Sequence, residues 1–376
     1  MEHIRTMMTE KFKERNIACA QSGEDGLVSA VAPLAQSEWE RAEKRVPSST
    51  STGPDGIPIM LIKTLGPKSK KALREAVSKM IMDGKAPDGW RLSRMSMIYK
   101  GKGDKADINN YRPITVTSVV YRVVMQIIKD RLQAWVESEE VLGELQNGFR
   151  KQRRLEDNLC SLLQCIEIAE KEHRPLWLAF LDIKGAYDSV IQKDLWDILG
   201  TLEVEDGVRN LLKDIYKSNK VLIKWENKVS GPIEIQQGLR QGCPLSPLLF
   251  MLYLQGLEKK FERSGLGFKL SYFKQGEWIK QSLPGLMYAD DIVLMADSKE
   301  DLQRLMDICG KEGDSLGLKF SKEKSAVMTF NDNQGSEHRI QEVTLEVVDK
   351  YKYLGVWINN GAEYLTEHEK YVTAKG

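Results

Sequence analysis

The sequence predicts an α+β fold centred on a β-α-β-β-α-β arrangement. The stretch "LWLAFLDI" contains a short apolar run of strand length that ends on Asp182. Two more apolar runs flank Asp290 and Asp291 in "GLMYADDIVLMA", which is the pattern of a hairpin with acidic residues at its tip. Helical segments lie between these runs, and "KSAVMTF" adds a last strand. The chain order is therefore strand, helix, hairpin, helix and strand.

The segments before, between and after these strands also carry structural signals. Apolar spacing predicts a helix from Lys68 to Gly84, and "SRMSMIYKGKGDKADINNYRPI" predicts a strand, a basic loop and a return strand. "TSVVYRVVMQIIKDRLQAWVES" predicts a long amphipathic helix. We further expect helices over about 190–199 and 207–217, a strand pair in "KVLIKWENKV", and a helix capped by Ser298. "EVTLEVVDKYKYLGVWI" predicts one more hairpin.

Composition excludes several classes of protein. The 376 residues leave room for more than one domain, and a 41% hydrophobic fraction is ordinary for a folded chain. Apolar stretches such as "PLLFMLYL" are far shorter than the ~18 residues that span a bilayer. The charged N-terminus lacks an apolar signal core, which predicts an intracellular protein. Five cysteines without C-x-x-C spacing argue against structural zinc, and a net charge of +1 means that any nucleic-acid contact depends on local patches.

The three aspartates predict a metal site. In the β-α-β-β-α-β arrangement the strand of Asp182 and the hairpin of Asp290 and Asp291 are central neighbours, so their carboxylates should converge. Uncompensated, they would repel and raise one another's pKa values. A pair of Mg²⁺ ions, which prefer carboxylate oxygens, would relieve this and suits phosphoryl transfer. The alternative is a solvated Asp-Asp turn.

Eight sequence blocks occur in an order that matches one known family. They are "TGPDGIP", "NYRPITVTSVVYRVVMQIIKDRL", "QNGFRKQRRLEDNL", then "AFLDIKGAYDSV", "GLRQGCPLSPLLF", "YADDIVLMA" and "LGLKFSKEKSAVM", with "YKYLGVWI" closing the series. Over roughly Ser48 to Ile358 the chain resembles the reverse transcriptase of non-LTR (LINE-type) retrotransposons. Its Tyr-Ala-Asp-Asp form is typical of RNA-directed DNA polymerases, whereas viral RNA-copying RNA polymerases usually show Gly-Asp-Asp.

The resemblance implies a right-hand polymerase fold, with fingers, a ferredoxin-like palm, and a thumb that is missing or only begun. The implied regions are an N-terminal extension (1–47), fingers (48–172), a palm (173–361) with a primer-grip hairpin near 343–358, and the start of a thumb or a tail (362–376). Since family members usually carry an endonuclease, we expect a fragment of a larger endonuclease-reverse transcriptase.

The implied activity is that of an RNA-directed DNA polymerase, a nucleotidyltransferase that adds deoxynucleotides to a primer 3′-OH. Its implied partners are an RNA template, a DNA primer or target DNA, and deoxynucleoside triphosphates, with two Mg²⁺ ions for which Mn²⁺ can substitute. No membrane partner is expected, and the work would be done in the nucleus, the cytoplasm or both. The sequence makes no prediction about the oligomeric state.

The resemblance also implies roles for individual residues. The catalytic metal ligands would be Asp182, Asp290, Asp291 and the main-chain carbonyl of Ile183. Tyr187 would be the aromatic gate against a ribose 2′-hydroxyl, and Lys324 a proton donor to pyrophosphate. The other residues expected at the nucleotide are Lys100, Lys102, Arg112, Gln241 and Gly242. Those expected at the template or primer are Arg150, Lys151, Arg153, Arg154, Tyr353, Leu354 and Gly355.

Departures from the family pattern keep some of these roles open. The second fingers block usually continues Arg-Ser-Thr-x-Asp, but here it reads Arg-Arg-Leu-Glu-Asp from Arg153. Ser321 stands where the family usually has Asn, which weakens the case for Lys324. Tyr187 could instead be a packed core aromatic, and the basic run a solvated surface. The alternative functions are a catalytically silent RNA-binding relic, or a reverse transcriptase of group II intron or retron type.

Overall fold

Alternating helices and strands run through the computed structural model, which describes residues 29–225, 228–274, 277–332, 337–361 and 363–373. The helices are α1 (Gln36–Arg45), α2 (Ile59–Lys63), α3 (Pro67–Asp83), α4 (Val119–Ser138), α5 (Leu155–Glu172), α6 (Ala186–Ser189), α7 (Gln192–Thr201), α8 (Asp206–Tyr216), α9 (Ser246–Ser264), α10 (Lys299–Ser315) and α11 (Thr366–Thr373). The strands are β1 (Leu92–Tyr99), β2 (Tyr111–Val116), β3 (Leu176–Asp182), β4 (Lys220–Trp225), β5 (Lys228–Glu234), β6 (Phe268–Lys274), β7 (Glu277–Leu283), β8 (Gly285–Tyr288), β9 (Asp291–Ala296), β10 (Ala326–Phe330), β11 (His338–Ile340), β12 (Val343–Leu345), β13 (Lys350–Tyr353) and β14 (Val356–Asn359). Most of the predicted N-terminal extension, and residues 362 and 374–376 of the predicted tail, lie outside the described residues.

The chain divides into two compact units, each made of separate stretches. Unit 1 contains, among the described residues, 137–184 and 254–373, and unit 2 contains 29–136 and 185–253. The chain therefore leaves unit 1 after Lys184 and returns to it within α9. No helix in the described part of either unit is long and apolar enough to cross a membrane.

Unit 1 is built on a four-stranded antiparallel sheet in the order β10-β3-β9-β8. Along the chain these strands alternate with helices as β3, α9, β8, β9, α10 and β10, so the predicted α+β fold with its β-α-β-β-α-β centre is confirmed. The central strand β3 is buried on both faces up to Leu181, because its residues are almost all apolar.

The two faces of this sheet are covered by helices from the same unit. On one face, Leu162 and Ile166 of α5 pack in a core with Phe180, Val293 and Met328. The helix α10 packs against β3 and β9. Its start is fixed by the Ser298 hydroxyl, which accepts a hydrogen bond from the Asp301 N–H at 3.2 Å, as the sequence predicts.

Unit 2 has its own four-stranded sheet, in the order β2-β1-β4-β5. The strands β1 and β2 form the predicted strand, loop and return, and β4 joins β1 in parallel. The predicted helices correspond to α3, α4, α7 and α8. Arg131 of α4 is 5% exposed and makes two 2.7 Å bonds to the carboxylate of Glu38 on α1, which ties these helices together.

The last predicted hairpin is shorter than expected. Val343–Leu345 pairs back with His338–Ile340 through a tight turn in which Gln341 has a φ of 52°. The hairpin therefore begins at Lys350 and consists of β13 and β14. Apolar alternation is present in both β12 and β13, so it does not show which neighbouring segment each strand pairs with.

Candidate active site

Two of the aspartates face each other across the central strands of unit 1. Asp182 ends β3, Asp291 begins β9, and the two are direct partners in the antiparallel register. Directly opposed residues project on the same face of a sheet, so both carboxylates lie on one side. Asp290 follows Ala289 in the turn from β8 to β9, where Ala289 has a φ of 57°. The structure thus brings the three carboxylates to one end of the sheet.

Charge repulsion and burial are visible in the electrostatics of this cluster. Burial, with the added charges of Asp290 and Asp182, raises the pKa of Asp291 from 3.8 to about 6. Burial also raises the pKa of Asp290, and the charge of Asp182 adds to the rise. The positive charge of Lys324 opposes these two pKa increases. Its Nζ lies 3.1 and 3.2 Å from the two carboxylate oxygens of Asp182.

The donor set fits a divalent cation. Carboxylate oxygens are the ligands that Mg²⁺ prefers, and partly buried acids that raise one another's pKa values favour added positive charge. In the described part of the chain, however, no group of three or more His, Cys, Asp or Glu side chains is already arranged to hold a metal ion. Asp182 instead pairs with the exposed side chain of Lys324, so this lysine would compete with a metal ion for the same carboxylate.

In unit 2, Tyr187 and Gln241 are both held by neighbours. The ring of Tyr187 stacks on Phe250 with centroids 5.4 Å apart. The amide of Gln241 donates to both carboxylate oxygens of Asp188, at 3.2 and 3.3 Å. Burial raises the pKa of Asp188, whereas the hydrogen bond from Gln241 lowers it. Two main-chain bonds join the loop that contains Gln241 to residues 187–190. The N–H of Leu239 donates to the Tyr187 carbonyl, and the N–H of Gly238 donates to the Val190 carbonyl.

The backbone conformation of residue 242 and the nearby main chain of Thr115 require a glycine at this position. Its φ is 104°, and a Cβ at this position would lie 2.8 Å from the carbonyl oxygen of Thr115 on β2. The N–H of Thr115 donates to the Gln241 carbonyl at 2.7 Å, so the loop and β2 are in main-chain contact. A side chain at residue 242 would break this approach.

The basic residues expected at the triphosphate lie on the hairpin of β1 and β2, also in unit 2. Arg112 is exposed on β2, opposite Ile98 of β1. Lys100 and Lys102 are exposed in the loop between the strands, and the N–H of Lys100 donates to the Asn110 carbonyl at 2.8 Å. All three therefore belong to the same unit as Tyr187 and Gln241.

Of the four basic residues that follow Phe149, two have exposed side chains and two have buried ones. Arg150 is 7% exposed, and its guanidinium makes two bonds, of 2.9 and 2.7 Å, to the Glu137 carboxylate. The side chain of Arg153 is 6% exposed and donates to Asn147 and Glu144. Burial lowers the pKa of Arg153 to about 10, so it remains charged at neutral pH.

Contact of all four basic residues with a template stays a prediction, although two of them already have partners within the protein. Carboxylate oxygens and main-chain carbonyls accept hydrogen bonds from the guanidinium groups of Arg150 and Arg153. A buried guanidinium needs such partners. Lys151 and Arg154 are exposed and remain candidates.

The predicted primer-grip hairpin also divides into buried and exposed parts. Tyr353 is 3% exposed, packs in the core of unit 1, and its hydroxyl accepts from the Asn158 amide at 3.4 Å. Burial raises its pKa. Leu354 and Gly355 form the two-residue turn, with φ values of 45° and 90°. The side chain of Tyr353 packs in the core, whereas Leu354 and Gly355 form the turn, and the predicted place of all three beside a primer stays a prediction.

Comparison with known proteins decides the family. Residues 100–358 match the family described as reverse transcriptase (RNA-dependent DNA polymerase). This chain belongs to that family. The match covers more than half of the chain and contains all three aspartates.

Relatives of this chain occur among retrotransposons, which confirms the predicted resemblance. The Pol polyprotein of the type-1 retrotransposable element R2 of Nasonia vitripennis is 26% identical over 324 residues, which cover 83% of this chain and 30% of that protein. The Transposon TX1 uncharacterized 149 kDa protein of Xenopus laevis is 29% identical over 276 residues, which cover 72% and 20%. This chain thus spans between a fifth and a third of these relatives. Among solved structures, apo telomerase from Candida tropicalis truncated from the C-terminal domain is similar, with a TM-score of 0.47 and 15% identity, covering 75% of this chain and 55% of that chain.

Tyr351 was not predicted from the sequence as a residue of this site. Its hydroxyl donates to the main-chain carbonyl of Lys324 at 2.6 Å, and its ring stacks on Phe180 at 4.2 Å and 9°. Burial, with the charges of Asp291 and Asp182, raises its pKa, so the hydroxyl keeps the proton that it donates. The available signal was the alternation in "YKYLG", in which Tyr351 and Tyr353 share one face of β13.

Two hydrogen bonds to the main chain of Asp182 hold the end of β3. The N–H of Ser321 donates to the Asp182 carbonyl at 2.9 Å, and the N–H of Asp182 donates to the Ser325 hydroxyl at 3.1 Å. Ile183 extends the contact by bridging to Phe320. Residue 321 contacts Asp182 through its main chain, so the change from the usual Asn to Ser leaves this bond in place.

Proposed function

We propose that this chain is an RNA-directed DNA polymerase that adds deoxynucleotides to a primer 3′-OH and releases pyrophosphate. The observation that supports it best is the direct pairing of Asp182 with Asp291, with Asp290 in the adjoining turn, in a chain of the reverse transcriptase family. We retain the predicted fingers (48–172) and palm (173–361) as part of this proposal.

The carboxylates would hold two Mg²⁺ ions, with Mn²⁺ as a substitute. The residues that would hold them are Asp182, Asp290, Asp291 and the carbonyl of Ile183. When bound, the ions supply positive charge that compensates the charge developing on the reacting phosphate. Lys324 is exposed except for its pairing with Asp182, and once released it can give a proton to the departing pyrophosphate.

The residues of unit 2 would bind and select the nucleotide. The ring of Tyr187, braced by Phe250, would exclude a ribose 2′-hydroxyl by contact. Gln241, fixed by Asp188, and Gly242 would pack against the nucleotide and the template base. The exposed cations that would contact the triphosphate are Arg112, Lys100 and Lys102.

Exposed residues of unit 1 would contact the nucleic acid itself. Lys151 and Arg154 would bind template phosphates, since exposed cations release counterions when they pair with a phosphate chain. Leu354 and Gly355, at the tip of the β13–β14 hairpin, would lie against the primer end.

Primer extension on an RNA template with Mg²⁺ and deoxynucleotides tests the proposal. Asp290→Asn should lower the rate at least about a hundredfold, since metal-assisted charge stabilisation contributes several kcal/mol. Asp307→Asn, an exposed aspartate of α10 in the same unit, is the matched control and should extend normally. Equal extension by wild type and Asp290→Asn would contradict the proposed site. RNA binding without extension by any of the three would favour the silent relic.

A further inference from the structure

One buried side chain grips the turn that carries Asp290. The Oε1 of Gln146 accepts from the N–H of Ala289 at 2.8 Å, and its Nε2 donates to the Ala289 carbonyl at 3.3 Å. Both polar main-chain groups of one residue are thus bound by one amide. The same Oε1 also accepts from the N–H of Gly148 at 2.9 Å, so this oxygen faces two donors and the amide has one satisfactory orientation.

Ala289, the residue that Gln146 binds, has the strained backbone conformation in this turn. The ladder between β8 and β9 closes at Tyr288 and Asp291, which leaves Ala289 and Asp290 between the strands. Ala289 has a φ of 57°, a left-handed conformation that costs a residue with a Cβ conformational energy. Gln146 comes from 143 residues earlier in the chain and is 2% exposed, so the bond is a long-range tie inside unit 1.

Gln146 is itself held from both sides of its main chain. Glu258 of α9, 2% exposed, accepts from the N–H groups of Gly143, Leu145 and Gln146 at 2.8, 2.5 and 3.1 Å. The guanidinium of Arg150 donates to the carbonyls of Gly143 and Gln146. Two buried charges therefore fix the short loop that presents the amide.

The approach of the loop to the turn leaves no spare room. A Cβ on Gly148 would lie 2.4 Å from the main-chain nitrogen of Ala289. On the preceding strand, the N–H of Asn147 donates to the Met287 carbonyl at 2.9 Å, and the N–H of Met287 donates to the Leu145 carbonyl at 2.8 Å. The loop thus follows the strand β8 and ends against the turn.

We propose that Gln146 is a positioning residue for the polymerase reaction, which sets the place of the Asp290 carboxylate by fixing both main-chain groups of Ala289. This inference rests on the proposed function, and it assigns Gln146 no contact with substrate. Glu258 and Arg150 act one step further away, by holding the loop. The role predicts that loss of the amide displaces the carboxylate while the fold and the nucleic-acid contacts remain.

Gln146→Met tests the inference, because methionine keeps the volume and removes the three hydrogen bonds. We expect kcat for primer extension to fall about tenfold to a hundredfold, since a displacement of about 1 Å at a reacting group costs that much. KM for deoxynucleotides and the Kd for an RNA–DNA duplex should stay within about threefold, because contacts made equally in the ground state are intact. Mn²⁺ binding to the free protein, measured by electron paramagnetic resonance, should weaken about tenfold.

The control is Gln303→Met in the same unit. Gln303 grips another single residue in the same two-ended way, since its Nε2 donates to the Arg339 carbonyl at 2.7 Å and its Oε1 accepts from the Arg339 N–H at 3.0 Å. If loss of such a grip acts only through stability, both variants should lower Tm and leave kcat unchanged. If Gln146 positions Asp290, only Gln146→Met should lower kcat and weaken Mn²⁺ binding.

A second pair of variants keeps the test decisive if Gln146→Met fails to fold. Gly148→Ala places a methyl group 2.4 Å from the Ala289 nitrogen and 3.0 Å from the Oε1 of Gln146, and so pushes the loop and the turn apart, whereas Gly89→Ala adds a methyl group where nothing lies within 4 Å. Gly148→Ala should repeat the loss of kcat and of Mn²⁺ affinity, and Gly89→Ala should not. The inference is overturned if Gln146→Met, or in its place Gly148→Ala, matches its control in kcat and Mn²⁺ binding. If the wild type does not extend a primer, the proposed function fails, and Mn²⁺ binding still decides the role of Gln146.

Discussion

Replacing Asp291 with asparagine should stabilise the metal-free protein at neutral pH, although it removes a proposed metal ligand. The pKa of Asp291 rises from 3.8 to about 6 on folding, through burial and the charges of Asp290 and Asp182. A tenfold difference in proton affinity between the folded and unfolded states is worth ~1.4 kcal/mol. The ionised carboxylate therefore costs the folded state ~3 kcal/mol above about pH 6.

The sign of the pH dependence follows from the direction of this shift. Because the folded-state pKa of Asp291 is the higher one, the folded protein holds a proton that the unfolded chain has released between about pH 4 and about pH 6. The free energy of unfolding of the wild type should fall as the pH rises through this window. The asparagine side chain of the variant has no proton to exchange, so the advantage of the variant should be near zero at about pH 4 and reach ~2–3 kcal/mol at about pH 7.

Urea denaturation in the presence of EDTA, followed by circular dichroism across this range of pH, measures the difference. Asp307→Asn removes an exposed carboxylate of the same unit and serves as the control. Added Mg²⁺ should stabilise the wild type more than the variant, because a ligand that binds the folded state selectively raises its stability. A variant that is less stable than the wild type at neutral pH, or an advantage that does not change with pH, would refute the reasoning about mutual repulsion.

Three further predictions concern side chains elsewhere in the two units. Glu38→Gln leaves the buried guanidinium of Arg131 without a carboxylate and should lower the free energy of unfolding by ~3–5 kcal/mol in a denaturant titration; an unchanged midpoint would show that water compensates the charge. Tyr187→Ala should raise ribonucleotide incorporation relative to deoxynucleotide incorporation in single-nucleotide extension, and an unchanged ratio of kcat/KM values would exclude the gate role. Phe180→Ala removes the ring stacked on Tyr351 and should cost ~3–5 kcal/mol in the same titration, with Phe180→Leu as the milder control.

The sequence was sufficient to predict the central strands of unit 1 and the acidic residues at their ends. Strand-length apolar runs, acids at their ends and helices between them predict a sheet in which β3 and β9 are neighbours, and the structure pairs Asp182 with Asp291 directly. The reason is that chain order and antiparallel topology leave few alternatives once the strands are known. The Ser298 cap was also predictable, because it joins two residues that are only three positions apart in the sequence.

Long-range side-chain partners were not predictable. "FRKQRR" has four cations that are equivalent in sequence, and only the fold shows that Glu137 takes Arg150 while Lys151 stays exposed. Tyr353 could not be separated from an exposed aromatic, because burial of β13 depends on α5 and β3. The grip of Gln146 on Ala289 joins positions 143 residues apart, and no local pattern specifies such a pair.

The discontinuous make-up of unit 1 has a consequence for how the chain is synthesised. The partners of β3 in the sheet are β9 and β10, which leave the ribosome about 110 and about 145 residues later. At translation speeds of ~5–20 residues per second, β3 waits roughly 5–20 seconds for β9. Until then an almost wholly apolar strand has two unpaired edges, the condition that favours aggregation. The yield of folded protein should therefore depend on what shields β3 during those seconds, more than on the stability of the finished sheet.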